Sequence, residues 1–107
     1  MSKYSLGQLQ QAVMHQAKEK GFGTTHEEID IHEKFALIHS EVSEAYEAYR
    51  KNGHQVTDDF IEELGDVMQR IMHLAGCFNI NLEQSIIQKI KKNKSRDWSW
   101  DKMNIKR

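Results

Sequence analysis

The chain has no proline and a single cysteine among its 107 residues. Small all-β domains lean on proline-rich turns, so the absence of proline favours helices. One cysteine, Cys77, excludes an internal disulfide and any multi-cysteine zinc or iron–sulfur site. No apolar run approaches the ~18 residues of a membrane span. The start, MSKYSLGQLQ, lacks the apolar core of a signal peptide. A cytoplasmic protein without a membrane partner is the expectation. No glycine-rich phosphate loop is present, since Gly21-Phe22-Gly23 is too short. What the chain does have is charge, 29% of residues, with a mean hydropathy of −0.74. Its apolar residues are clustered, so this wet composition does not imply disorder. The length suits one domain over 1–107, with 97–107 as a C-terminal tail.

The near-neutral total hides an asymmetry. Residues 1–88 carry 7 Lys/Arg and 14 Asp/Glu, and residues 89–107 carry 8 and 2. Such a basic end can be a solvated tail, a nucleic-acid tail or a clamp for polyphosphate. Four helical segments are readable. The first runs from about Ser5 to Lys20, with Ser5 as N-cap and Gly21 as its stop. The second begins at one of two capping boxes, Thr25 with Glu28 or Asp30 with Glu33, and continues to about Arg50. Asn52-Gly53 signals a turn. Thr57 caps a third helix that ends near Gly76–Phe78. Asn81 with Gln84 opens a fourth, to about Arg96. Short connections between four helices predict an all-α, four-helix bundle-like domain.

The second helix carries acids where core residues belong. With Glu41 at zero and 100° per residue, its apolar arc runs from Leu37 at about −40° through Ala45, Ile38 and Val42 to Phe35 at about 120°. Glu41 lies inside that arc and Glu44 at its edge. A glutamate facing a core must be paired, protonated or bound to a cation. The third helix repeats the pattern, with Glu63 and Asp66 beside a stripe of Phe60, Leu64, Val67, Ile71, Leu74, Ala75 and Phe78. Antiparallel packing of the two seams brings the four carboxylates together. Two readings follow. The acids hold a hard cation such as Mg²⁺ or Mn²⁺, or they pair with Arg70, Lys34 or a partner chain. A di-iron site is excluded, because it needs Glu-x-x-His and here the i+3 positions are Glu44 and Asp66.

On the fourth helix, Lys89, Asn93 and Arg96 share one arc. They can hold phosphate oxygens, or they are the solvated end of a lysine-rich helix. His32 and His39 face away from the seam, and the other histidines form no ligand spacing. Cys77, at a helix end without a His–acid pair nearby, reads as core packing.

Three stretches together resemble the MazG-like all-α nucleoside triphosphate pyrophosphohydrolases. They are Ala36-Leu37-Ile38-His39-Ser40-Glu41-Val42-Ser43-Glu44-Ala45, then Glu62-Glu63-Leu64-Gly65-Asp66-Val67, then Lys89, Asn93 and Arg96 at K-x-x-x-N-x-x-R spacing. The resemblance spans about Leu9 to Arg96. It implies hydrolysis of an NTP or dNTP to the monophosphate and pyrophosphate, with Mg²⁺ (or Mn²⁺) on Glu41, Glu44, Glu63 and Asp66. It also implies phosphate contacts from Lys89, Asn93 and Arg96, and a homodimer or homotetramer. Gln16 stands where many small members have Trp, so Phe22 or Trp98 is the expected base-stacking group. His73 stands where many have Asp.

The expected mechanism has Glu41 or Glu44 orienting or deprotonating the attacking water. Lys89 and Arg96 stabilise the departing pyrophosphate. Two rivals come from other classes: a non-catalytic helical assembly protein with acid–base pairing between chains, and a nucleic-acid binder using the basic end. Nucleic acid is the weaker expectation for a partner. The wide stripes of the second and third helices, extended by Tyr46, Met68, Ile61 and Met72, predict a homo-oligomer.

Overall fold

Every helix starts where a short polar side chain can take over an orphaned backbone N–H. The structure, a computed structural model, describes residues 3–96 and contains four helices there: α1 (Leu6–Lys20), α2 (Ile31–Lys51), α3 (Asp58–Cys77) and α4 (Leu82–Lys94). Ser5 and Gln8 form a reciprocal capping box on α1, and Gly21 ends that helix in the left-handed region at φ 73°. Asp30, rather than Thr25, caps α2 by accepting from the Glu33 amide at 3.1 Å. Glu28 still reaches back, accepting from the amides of Thr24 and Thr25 at 2.9 and 3.2 Å. That half of a capping box shapes the loop after α1 instead of starting a helix. Thr57 and Asn81 cap α3 and α4 as expected. The fourth helix stops at Lys94 with Ser95 as its cap, so Arg96 lies beyond its end.

α3 is the hub. α2 packs along it, α1 packs on another of its sides, and α4 touches α1 and α3; α1 and α2 do not pack on each other. α2 and α3 run antiparallel, since Arg70 meets Glu41 near one end and Phe60 meets Tyr49, ring centroids 5.4 Å apart, near the other. The buried apolar set is small: Ala17, Ala45, Ala48, Met72, Ala75 and Cys77. Alanines at the crossings let the helices come close. The buried Gln10 ties α1 to the α3–α4 turn. Its Nε2 donates to the Ile80 carbonyl at 2.9 Å, and its Oε1 accepts from the Leu82 amide at 3.2 Å.

The apolar stripes are only partly covered. Met72 is 5% exposed within one chain, so it is not the intermolecular contact the sequence suggested. α1 lies over that stretch of α3, with Met14 against Gly76. The N-terminal half of the same α3 face, Ile61, Leu64 and Met68, stays exposed, as do Phe35, Val42 and Tyr46 on α2. Among the described residues no helix is long and apolar enough to cross a membrane.

Candidate functional site

Two helical registers meet at the acids. On α2, Glu41 points into the α2–α3 seam. On α3, Glu63 and Asp66 sit one turn apart on the facing side. One carboxylate oxygen from each of these three residues lies within 4.8 Å of the others. Glu41 Oε2 and Glu63 Oε2 are buried and accept no hydrogen bond. Buried carboxylate oxygens without donors are unfavourable. The cluster therefore has spare acceptor capacity, all of it hard oxygen, which fits Mg²⁺ or Mn²⁺ chemically. Burial pushes the Glu63 carboxyl above its ordinary range, and the charges of Glu44, Asp66, Glu41 and Asp59 push it further. Glu44 stands at the rim. Its carboxylate accepts from Ser40 Oγ one turn back at 3.3 Å, and it is not part of the tight group.

The alternative of pairing is realised for one oxygen. Arg70 Nε lies 3.3 Å from Glu41 Oε1. The pair neutralises one carboxylate and leaves the rest of the cluster negative.

A cleft of about 400 Å³ opens beside the acids, where α1 and α2 part over α3. It is lined by Val13, Gln16 and Ala17 from α1, Phe22 from the following loop, Lys34 and Glu41 from α2, and Asp66, Gln69, Arg70 and His73 from α3. No protein-family model, no curated protein and no solved structure matches this chain. What the site can do is therefore read from its residues alone. Phe22, 56% exposed, presents an aromatic face at the wall of the same cleft as the acids. The other stacking candidate, Trp98, lies outside the described residues.

The loop that carries Phe22 is fastened to α3. Gly23 adopts φ 92°, and an added Cβ there would press on Ile29 and Glu28. Its carbonyl lies 2.8 Å from His73 Nε2 and accepts more weakly from Cys77 Sγ at 3.9 Å. His26 stacks on Phe78, centroids 5.3 Å apart. Cys77 is buried, and burial pushes its thiol up, against the opposing charge of Lys34. His73, one turn earlier, is 3.6 Å from the sulfur. A buried thiol with a raised pKa is a packing group, not a nucleophile.

Lys89, Asn93 and Arg96 are not among the residues lining the cleft, and α4 does not pack on α2. Sequence reasoning passed over Gln69 and marked Gln16 and His73 only as departures from the family pattern, yet all three line the cleft. The signal for two of them was register, since Gln69 and His73 follow Asp66 at i+3 and i+7.

Proposed function

We propose that this chain is a divalent-metal-dependent nucleoside triphosphate pyrophosphohydrolase that converts an NTP or dNTP to the monophosphate and pyrophosphate. The observation that carries the reading is the meeting of Glu41, Glu63 and Asp66 within 4.8 Å, two of them with unpartnered buried oxygens, at the wall of a cleft that also holds an exposed aromatic ring. Glu41, Glu63 and Asp66 hold the ion, with Glu44 at the rim. When bound, Mg²⁺ or Mn²⁺ supplies charge neutralisation for a polyphosphate. Glu44, exposed and already engaged in a hydrogen bond, suits the role of orienting water or taking its proton. Phe22 offers a stacking face for a base. Lys89, Asn93 and Arg96 serve the phosphates in an assembled homodimer or homotetramer.

A screen for pyrophosphate release over canonical and damaged NTPs and dNTPs, with Mg²⁺, tests this. The expected result is pyrophosphate from at least one nucleotide, lost on EDTA addition and reduced about a hundredfold or more in Glu41→Gln. In labelled water the oxygen should enter the monophosphate. Inorganic phosphate as the first product would overturn the bond assignment. The rival is a non-catalytic assembly protein, favoured by the exposed apolar residues of α2 and α3. It predicts no product from any nucleotide.

A further inference from the structure

The α2–α3 seam is zoned by charge. Glu44, Glu63, Asp66 and Glu41 occupy the stretch nearer the connecting turn. Beyond them come two cations: Arg70, one turn after Asp66, and Lys34, two turns before Glu41. Glu41, Asp66, Arg70 and Lys34 line the same cleft. The Arg70–Glu41 contact is uneven. At 3.3 Å it is long for a charge-assisted bond, and 38% of the arginine side chain is exposed against 12% of the glutamate. Among the described residues, Glu41 is the one carboxylate within 4.0 Å of the guanidinium.

Resting on the metal-dependent reading above, we propose that Arg70 is an exchangeable counter-ion. It neutralises Glu41 while the carboxylates hold no cation. When a divalent cation takes over Glu41, Arg70 turns with Lys34 to bind a phosphate group of the ligand. The physical reason is charge balance. A carboxylate as enclosed as Glu41 needs a cation nearby in either state. A guanidinium and a divalent ion repel one another, so they compete for it. The released guanidinium is a planar fork that matches phosphate oxygens, while Lys34 adds a point charge farther along the cleft. Metal and phosphate binding are then coupled through one arginine, and each strengthens the other. This places two cations of the α2–α3 seam, not only those of α4, among the anion-binding groups.

Calorimetry on the full chain with Mn²⁺, and with inorganic pyrophosphate on the Mn²⁺-saturated protein, tests this. Arg70→Gln should bind Mn²⁺ about threefold more tightly, because a partly exposed competing ion pair is gone. It should bind pyrophosphate roughly tenfold more weakly, because a charged donor is gone. Lys34→Gln should weaken pyrophosphate and leave Mn²⁺ unchanged. In the unmutated protein the Arg70 Nε–H resonance should shift on Mg²⁺ addition and again on pyrophosphate addition. That measurement decides the matter alone if Arg70→Gln does not fold. Mn²⁺ binding to the unmutated chain with equal or weaker Mn²⁺ affinity in Arg70→Gln overturns the exchange and leaves the metal reading standing. So does an Nε–H resonance that ignores saturating Mg²⁺. No Mn²⁺ binding to the unmutated chain at millimolar concentration overturns the metal reading itself.

Discussion

Glu63 is the residue where the conflict between folding and charge is sharpest. Its carboxyl is held above the ordinary value of 4.5, first by burial and then by four neighbouring acids. A raised value means the folded chain keeps this proton to higher pH than the unfolded chain does. The stabilising contribution is therefore complete below 4.5 and is lost as pH rises through the raised value. In EDTA, Glu63→Gln should remove that loss and melt at a higher temperature than the unmutated chain at pH 7. With millimolar Mn²⁺ the order should reverse, because the unmutated protein gains a ligand the variant lacks. Thermal melts across pH 4–8, with EDTA and with Mn²⁺, check both halves. A Glu63→Gln protein that is less stable at pH 7 in EDTA would show that the acids impose no strain. The cluster was visible in the sequence because Glu41 interrupts one apolar stripe while Glu63 and Asp66 border the other, and a helical wheel exposes such positions. Arg70 shares the acids' edge of the third-helix wheel and was, with Lys34, a named pairing candidate, but that Lys34 lines the same cleft was not fixed by either wheel. That placement depends on how far α2 and α3 slide past each other, which side-chain packing sets. Cys77 was legible as core, whereas the His73 bond to the Gly23 carbonyl joins residues 50 apart and has no local sequence signature.

At the scale of elements, caps carried most of the information. Ser5, Thr57 and Asn81 start helices where their short polar side chains predict it. At Thr25 only half of the capping box forms: Glu28 accepts from the Thr24 and Thr25 amides, which holds its pKa low, and the helix starts after Asp30 instead. The join between elements was less legible. Gln10 sits on α1 among apolar neighbours and has no motif, yet it is the group that satisfies the backbone of the α3–α4 turn. Gln10→Leu keeps the volume and strands a carbonyl and an amide. A fully buried orphan costs about 1–3 kcal/mol, and these two groups are only part-buried, so the change should destabilise the chain by roughly 1–3 kcal/mol in total. Urea unfolding followed by circular dichroism measures it, with the slope unchanged and the midpoint lowered. A loss under about 0.5 kcal/mol would mean that water replaces the amide there.

At the scale of the whole molecule, coverage is the open balance. α1 shields Met72 and Ala75 and stops short of Ile61, Leu64 and Met68 on the same side of α3. Among the described residues α2 has α3 as its one helical neighbour and leaves Tyr46 61% exposed, with Phe35 and Val42 along the same edge. The large apolar side chains exposed on these two adjacent helices are the surface a second copy would cover, by the same ridges-into-grooves packing that joins α2 to α3. The unmutated protein should therefore have a solution mass of at least twice 12.6 kDa. Ile61→Glu places a charge in that contact and should weaken association by tenfold or more. Because Ile61 is 57% exposed within one chain, the substitution should leave the helical content and the monomer's own melting unchanged. Met72→Glu would not discriminate, since its side chain is buried by α1 and the chain itself would unfold. Light scattering at micromolar concentration on both proteins decides the matter. A mass near 12.6 kDa for the unmutated chain, with full activity, would refute the assembly and require the cleft of a single chain to suffice.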